Sequence, residues 1–119
     1  MLDSTVIDAQ AIENLRELNP DDGDEFLREI TGIFLDDTPQ RIAELQHSLA
    51  VGDTTTFIRA AHSIKGSSAN LGASILRAAA ETLEHESKVN GLDSVGPLLE
   101  AVKTEFGRAQ VALLALVAT

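Results

Sequence analysis

The chain has 119 residues, of which 44% are hydrophobic and only 3% aromatic, with no cysteine and a net charge of −10. Without cysteine there is no disulfide framework, thiolate metal site or cysteine nucleophile. The negative charge argues against nucleic acid, which requires clustered Lys and Arg. The length suits one domain, residues 1–119, and the longest apolar run, Val111 to Ala118, is too short to cross a bilayer. We therefore expect a soluble, cytoplasmic monomer with no nucleic-acid or membrane partner.

Capping residues and helix breakers divide the first half of the chain. Asp8 is predicted to cap a first helix that ends at Asn19-Pro20, and the acid-rich stretch Asp21 to Glu25 opens a second. Thr38-Pro39 is predicted to end the second helix and start the third, because Thr is a good N-cap and Pro fits the first helical position. The core must be formed by Leu, Ile, Val and Ala, since Trp and Tyr are absent, as suits close-packed helices.

Three further helices follow, with short connections between them. Their predicted limits are Gly52 and Asp53 before the fourth helix, Asn70 or Gly72 after it, Asn90-Gly91 after the fifth, and Asp93 or Ser94 before the sixth. Short connections imply that neighbouring helices are antiparallel. The sequence therefore predicts an all-α fold, an antiparallel four-helix bundle made by the last four helices with two additional N-terminal helices.

The fourth predicted helix carries a histidine beside a regular apolar seam. The seam has spacings of four and three residues and consists of Phe57, Ala61, Ile64, Ser68 and Leu71. His62 lies next to this seam, with the small residues Gly66 and Ala69 one and two turns further on. We expect a partner to be able to approach the imidazole closely.

Charge is distributed unevenly around this histidine. The chain has 19 acidic residues, but none lies between Asp53 and Glu81. Three cations lie in that gap: Arg59, Lys65 and Arg77. A chain that keeps acid away from one histidine and places cations near it is predicted to hold a local anion. The anion we infer is a phosphoryl group on His62.

The segment from Ala61 to Ala73 resembles the signature of histidine-containing phosphotransfer (HPt) domains. It contains a histidine, two residues, a lysine, a glycine and small residues, followed by a Leu-Gly pair. The resemblance extends weakly to Phe34, Leu83-Glu84 and Gly91. It implies that His62 is the phosphoacceptor and that Lys65 and Gly66 support the phosphoryl group. Four residues are expected to contact the partner: Ile58, Arg59, Ala69 and Arg77.

The chemistry of imidazole agrees with this assignment. An exposed imidazole, with a reference pKa of about 6.5, offers a lone pair without a general base, and phosphorylated imidazole is a competent leaving group. The sequence has no Gly-rich nucleotide loop and no carboxylate cluster for Mg²⁺. We therefore predict a phosphocarrier that binds no cofactor or metal of its own. The resemblance implies a response-regulator receiver domain, with an acceptor aspartate and bound Mg²⁺, and a hybrid sensor histidine kinase as partners.

The predicted function is that of a phosphorelay intermediate, which takes a phosphoryl group from one receiver aspartate onto His62 and passes it to another. Two alternatives stay open. One is the phosphoacceptor domain of a chemotaxis-type histidine kinase, continuous with dimerisation and ATP-binding domains. The other is a helical adaptor that binds a receiver without being phosphorylated, although the intact His62, Lys65 and Gly66 argue against it. Whether the 119 residues are a whole protein or a piece of a hybrid kinase also stays open.

The remaining candidates are predicted to have structural roles. His47 and His85 are expected to be solvated, and no two histidines have the spacing of a helical metal pair. Ser67 and Ser68 are expected to be small packing residues. Gly66 is predicted to lie inside a continuous helix, because a helix end there would interrupt the apolar seam.

Overall fold

A computed structural model describes residues 6–117, and within that range it contains five α-helices and no strand. The helices are α1 (Ala9–Leu18), α2 (Glu25–Val51), α3 (Thr54–Asn70), α4 (Ser74–Asn90) and α5 (Gly96–Val117). The predicted all-helical class is therefore confirmed. None of the helices in the described range has both the length and the apolar character needed to cross a membrane.

Several predicted helix ends are confirmed by their capping groups. Asp8 Oδ1 accepts a hydrogen bond from Gln10 N at 3.0 Å before α1. Asp53 Oδ1 accepts one from Thr56 N at 3.1 Å before α3. Gly52 follows α2 in the left-handed region, with φ +75°, a conformation that favours glycine. These local signals place these three helix ends where the sequence predicted them.

The prediction of two additional N-terminal helices is wrong, because the second and third predicted helices form the single helix α2. Pro39 lies inside this helix on its exposed side, and Thr38, the predicted N-cap, is buried. An interior proline costs about 3 kcal/mol, whereas burying one large apolar side chain stabilises by about 1.5–3 kcal/mol. Phe34 and Leu45 are buried on either side of Pro39. The burial of apolar side chains along both halves of α2 therefore outweighs the cost of the interior proline.

The start of the last helix also differs from the prediction. Helix α5 begins at Gly96, and the carbonyl of Val95 accepts a hydrogen bond from Leu99 N at 2.8 Å. Val95 is fully buried, which draws the chain into the core just before the helix. Pro97 occupies the first turn, where its missing N–H leaves no backbone bond unmade. The apolar anchor and the proline therefore set the start, rather than the predicted caps at Asp93 or Ser94.

Helix α3 packs against α2 and α4, and α5 packs against the same two helices. Every member of the predicted α3 seam is buried: Phe57, Ala61, Ile64, Ser68 and Leu71. The rings of Phe34 and Phe106 lie 5.8 Å apart and join α2 to α5. Because the seam of α3 faces this core, the opposite side of the helix, which includes His62, is exposed.

The turn between α3 and α4 anchors the N-terminal segment. Asp8 N donates a hydrogen bond to the carbonyl of Gly72 at 2.7 Å, and Ile7 beside it is fully buried. Gly72 has φ +69°, and a Cβ at this position would lie 2.7 Å from Ala11 Cβ. The turn therefore requires glycine both for its conformation and for the close approach of α1.

Replacing Gly72 with Ala is expected to lower the free energy of unfolding by about 2 kcal/mol or more, from left-handed strain of about 1–2 kcal/mol and added overpacking. Gly52→Ala is the matched control, since Gly52 has φ +75° but no atom within 4 Å of an added Cβ. It should show the strain alone. Urea unfolding of both variants measures the difference. Equal losses would contradict the tight contact between α1 and this turn.

Candidate functional site

His62 lies in the middle of α3, and its side chain is 67% exposed. Its Nδ1 atom is 2.9 Å from Oε2 of Glu84, which projects from α4. An ionised carboxylate only accepts hydrogen bonds, so Nδ1 carries the hydrogen in this pair. The other ring nitrogen, Nε2, then keeps its lone pair in the neutral imidazole. The contact therefore leaves Nε2 as the nucleophilic atom of His62.

Glu84 is the centre of a cluster of cationic groups, although its side chain is only 6% exposed. Lys65 Nζ lies 2.7 Å from Oε1, and Lys88 Nζ lies 3.1 Å from Oε2. Burial raises the pKa of Glu84, but hydrogen bonds from Lys65, Lys88 and His62 outweigh this effect and lower the pKa to about 2. Glu84 is therefore a carboxylate throughout the physiological pH range.

The expectation that acid is kept away from His62 is wrong in three dimensions. The sequence gap between Asp53 and Glu81 is real, but Glu84 reaches His62 from the neighbouring helix. One feature of the sequence does point to this contact. Glu84 follows the buried residues Leu76 and Ala80 at intervals of four, which places an acid on the core side of α4. A buried acid requires a cationic partner.

Lys65 is positioned as predicted, one turn after His62, but it binds Glu84 in this structure. It is 29% exposed, so its stem packs while its ammonium group reaches the buried carboxylate. Lys88, the second cation on Glu84, was not predicted. It lies four residues after Glu84 on the same helix, the usual spacing of a helical ion pair.

The turn of α3 that follows His62 carries little side-chain bulk. Gly66 is exposed and lies inside the continuous helix, as predicted, and a Cβ added there would meet no atom within 4 Å. Ala69 is exposed on the next turn. The hydroxyls of Ser67 and Ser68 donate to backbone carbonyls one turn earlier, at 2.9 and 2.6 Å. The surface beside the imidazole is therefore open to a second molecule.

Two substitutions at Gly66 should separate stability from function. Gly66→Ala is expected to raise the free energy of unfolding by up to about 1 kcal/mol, because Ala is the better helix former and the site has room. Gly66→Gln should fold normally but reduce phosphotransfer by on the order of 10-fold or more, since its side chain occupies the approach to His62. Thermal unfolding and transfer kinetics measure the two effects.

The control for the larger side chain is Gly107→Gln on α5, where an added Cβ also meets no atom within 4 Å. It should leave phosphotransfer unchanged. Normal transfer by Gly66→Gln would contradict the assignment of this turn to partner approach. A large loss of stability in Gly66→Ala would contradict the open environment of the glycine.

The four predicted partner-contact residues are spread along α3 and α4. Arg59 is exposed one turn before His62, and Ile58 is half-buried. Arg77 Nη1 donates to Glu81 Oε2 at 2.9 Å, so this cation is paired on its own helix. The structure places only Lys65, of the three cations in the acid-free segment, in contact with the His62 cluster. His47 and His85 are exposed, as expected for solvated residues.

An open apolar groove lies beside the second half of α3. Its volume is about 350 Å³. Its lining residues come from α1, α2 and the end of α3: Leu15, Phe26, Ile30, Ile33, Phe34, Asp37, Ser67, Asn70 and Leu71. Among these residues, Ile33 is 61% exposed. The groove therefore continues the open surface of α3 past Gly66 and Ser67 with apolar side chains.

The family model of the Hpt domain matches residues 29–112. This match covers well over half of the chain, so the chain belongs to the Hpt domain family, and the resemblance in the His62 segment is confirmed. The function of this domain is phosphotransfer in two-component signalling.

The chain is also similar to individual proteins. It is 30% identical over 93 residues to multistep phosphorelay regulator 1 of Schizosaccharomyces pombe (strain 972 / ATCC 24843), an alignment that covers 78% of the chain. The chain spans only 32% of the length of that relative.

Two crystal structures have the same fold. Histidine-containing phosphotransfer protein B (HptB) of Pseudomonas aeruginosa PAO1 matches with a TM-score of 0.84 and 26% identity, over 93% of both chains. The maize histidine-containing phosphotransfer protein ZmHP2 matches with a TM-score of 0.84 and 24% identity, over 97% of this chain and 85% of the maize chain. The second similarity is one of fold.

Proposed function

We propose that the chain is a phosphorelay intermediate in which His62 accepts a phosphoryl group from the aspartate of one receiver domain and donates it to the aspartate of another. The observation that carries this proposal is the pairing of His62 Nδ1 with the buried Glu84 at 2.9 Å on an exposed helix surface. This pairing presents Nε2 to a docking partner with its lone pair available. A carrier requires such a nucleophile and an approachable surface, and both are present.

The transfer can be written with all atoms accounted for. The Nε2 lone pair attacks phosphorus, the Nε2–P bond forms, and the P–O bond to the donor aspartate breaks, so that this aspartate leaves as a carboxylate. Because Nδ1 keeps its hydrogen, the phosphorylated ring is an imidazolium cation, which the Glu84 carboxylate stabilises. In the second transfer the acceptor carboxylate attacks phosphorus and the Nε2–P bond breaks. The ring then returns to its neutral form.

The charge of the transferred group is balanced by groups from both proteins. Lys65 is close enough in sequence to turn from Glu84 to the phosphoryl oxygens, and Gly66 leaves space for them. As the resemblance to the HPt family implies, the partner receiver domain would supply Mg²⁺, which neutralises charge on the phosphoryl oxygens. The protein contributes positioning and electrostatics, which dominate catalysis of phosphoryl transfer.

The receiver is proposed to dock over α3, around His62 and across the apolar groove. Ile58, Arg59, Ala69 and Arg77 would lie at the edges of this contact. The exposed Ile33 and the groove of about 350 Å³ support this location, because apolar surface beside a reactive residue suits protein association. A hybrid sensor histidine kinase is proposed as the upstream partner.

The proposal includes two structural features predicted from the sequence. One is a single domain over residues 1–119. The other is an antiparallel four-helix bundle, predicted for the last four of six helices and now proposed for α2–α5, which their mutual contacts and short connections support. A cytoplasmic location and a monomeric state stay predictions from the sequence.

The decisive experiment mixes the protein with a receiver domain phosphorylated on its aspartate, in the presence of Mg²⁺. We expect one acid-labile phosphate to appear on the protein, and mass spectrometry should place it on His62. A ³¹P spectrum should assign it to Nε2. Addition of a second receiver should then discharge it.

Two results would contradict the proposal. Binding of the receiver without phosphate uptake would favour the adaptor. Uptake only from ATP in the presence of a kinase domain, with none from a receiver, would favour the phosphoacceptor domain of a chemotaxis-type kinase.

A further inference from the structure

The buried carboxylate of Glu84 has more cationic partners than its charge requires. Lys65 approaches Oε1 at 2.7 Å, whereas Lys88 at 3.1 Å and His62 Nδ1 at 2.9 Å share Oε2. One lysine would be enough to neutralise the carboxylate while the imidazole is neutral. The second lysine therefore needs an explanation other than the charge of the resting state.

The two lysines differ in what they can do during transfer. Lys65 is on α3, one turn from His62, and the proposed function requires it to turn towards the phosphoryl oxygens. To do so its ammonium group must move away from Oε1 of Glu84, whose side chain is only 6% exposed. A buried carboxylate that loses its cation is strongly destabilised. Unless another cation takes over, Glu84 holds Lys65 back from the phosphoryl group.

Lys88 is placed to take over this charge. It is on α4, the same helix as Glu84, and four residues further along, so it stays beside the carboxylate when α3 engages a partner. Its side chain is 55% exposed, which leaves its ammonium group free to shift from Oε2 towards both oxygens. An ordinary helical ion pair is solvated on both sides. This pair differs because its acidic member is buried and also binds His62.

We propose that Lys88 is a positioning residue that releases Lys65: it holds the charge of Glu84 while Lys65 binds the phosphoryl group on His62. Lys88 acts through Glu84 and Lys65 and does not touch the reacting atoms. This inference rests on the proposed function. It assigns the two lysines successive parts in one transfer cycle, Lys65 on the phosphoryl group and Lys88 on the buried carboxylate.

The test is the equilibrium of phosphoryl transfer between a phosphorylated receiver and the protein, measured for four forms: the wild type, Lys88→Gln, Lys65→Ala and the double variant. We expect Lys88→Gln to lower the equilibrium constant by about 3- to 10-fold, an effect in the lower part of the range found for coupled residues in one ion-pair network. In the Lys65→Ala background the same change should no longer lower the equilibrium constant, because there is no Lys65 left to release. Lys88→Arg should restore transfer close to the wild-type level.

A matched control keeps the change in net charge the same. Lys103→Gln removes a lysine on α5 that pairs with Glu100 at 3.3 Å, and it should leave the transfer equilibrium unchanged. The inference would be overturned if Lys88→Gln lowered the equilibrium constant equally with and without Lys65. It would also be overturned if Lys103→Gln lowered the constant as much as Lys88→Gln does. If the wild type takes up phosphate normally and Lys88→Gln has the same transfer equilibrium constant, this inference alone is overturned. Absence of uptake by the wild type would overturn the proposed function itself.

Discussion

His62→Gln is expected to abolish phosphoryl uptake while the protein stays folded. Glutamine has no atom that forms a stable phosphoramidate under these conditions, and no other imidazole in the described chain is held by a buried carboxylate. The side chain of His62 is two-thirds exposed, so the loss in the free energy of unfolding should be about 1 kcal/mol or less. Incubation with a phosphorylated receiver, followed by detection of acid-labile phosphate, measures the effect.

The other two histidines provide matched controls for this variant. His47 and His85 are both exposed on helices, and glutamine at either position should leave uptake at the wild-type level. Phosphate on His47 or His85 in the His62→Gln protein would contradict the assignment of the phosphoacceptor. Circular dichroism of all three variants should show the same helical content.

Glu84→Met is expected to slow phosphorylation of His62 on the order of 100-fold, less than the ~10⁴-fold loss found where the carboxylate that fixes the tautomer of a catalytic histidine is neutralised. Methionine has a similar volume but cannot accept the hydrogen of Nδ1. The ring then loses its fixed tautomer, and the imidazolium formed on phosphorylation loses its counter-charge. Glu84→Gln keeps an acceptor oxygen and should lie between the wild type and Glu84→Met.

The measurement for Glu84 combines rapid-quench transfer kinetics with ¹⁵N spectra of the imidazole. The spectra of the wild type should show hydrogen on Nδ1, and those of Glu84→Met should show it mainly on Nε2. Glu100→Met on the exposed side of α5, where the carboxylate pairs with Lys103, is the control. Wild-type rates in Glu84→Met would show that the buried carboxylate has no part in transfer.

Glu84 should also contribute to stability in a pH-dependent way. Its pKa is about 2 in the folded protein and 4.5 as the ordinary value, so its contribution is fully present above about pH 4.5 and is lost as the pH falls towards 2. The difference corresponds to roughly 3 kcal/mol. Between pH 5 and 2 the Glu84→Gln variant, which does not titrate, should therefore lose less stability than the wild type. An equal loss of unfolding free energy in the two proteins over this pH range would contradict the lowered pKa of Glu84.

The sequence by itself determined most of the helix ends, the buried seam of α3 and the exposed position of His62 beside it. Each of these depends on residues that are near one another in the chain. Asp8 and Asp53 cap helices through backbone groups two or three residues away, and Gly52 ends one through its own conformation. The spacing from Phe57 to Leu71 sets which side of α3 is buried, and hence that His62 lies outside the core.

Only the tertiary structure decided whether Pro39 ends a helix and what His62 binds. The continuity of α2 depends on packing by Phe34 and Leu45, whose burial energy exceeds the local preference for a break. The contact between His62 and Glu84 joins residues 22 positions apart, across the turn between α3 and α4. Which side chains meet there depends on how two helices are rotated and shifted against each other. That register is set by the shared core, and the distribution of charge along the sequence does not reveal it.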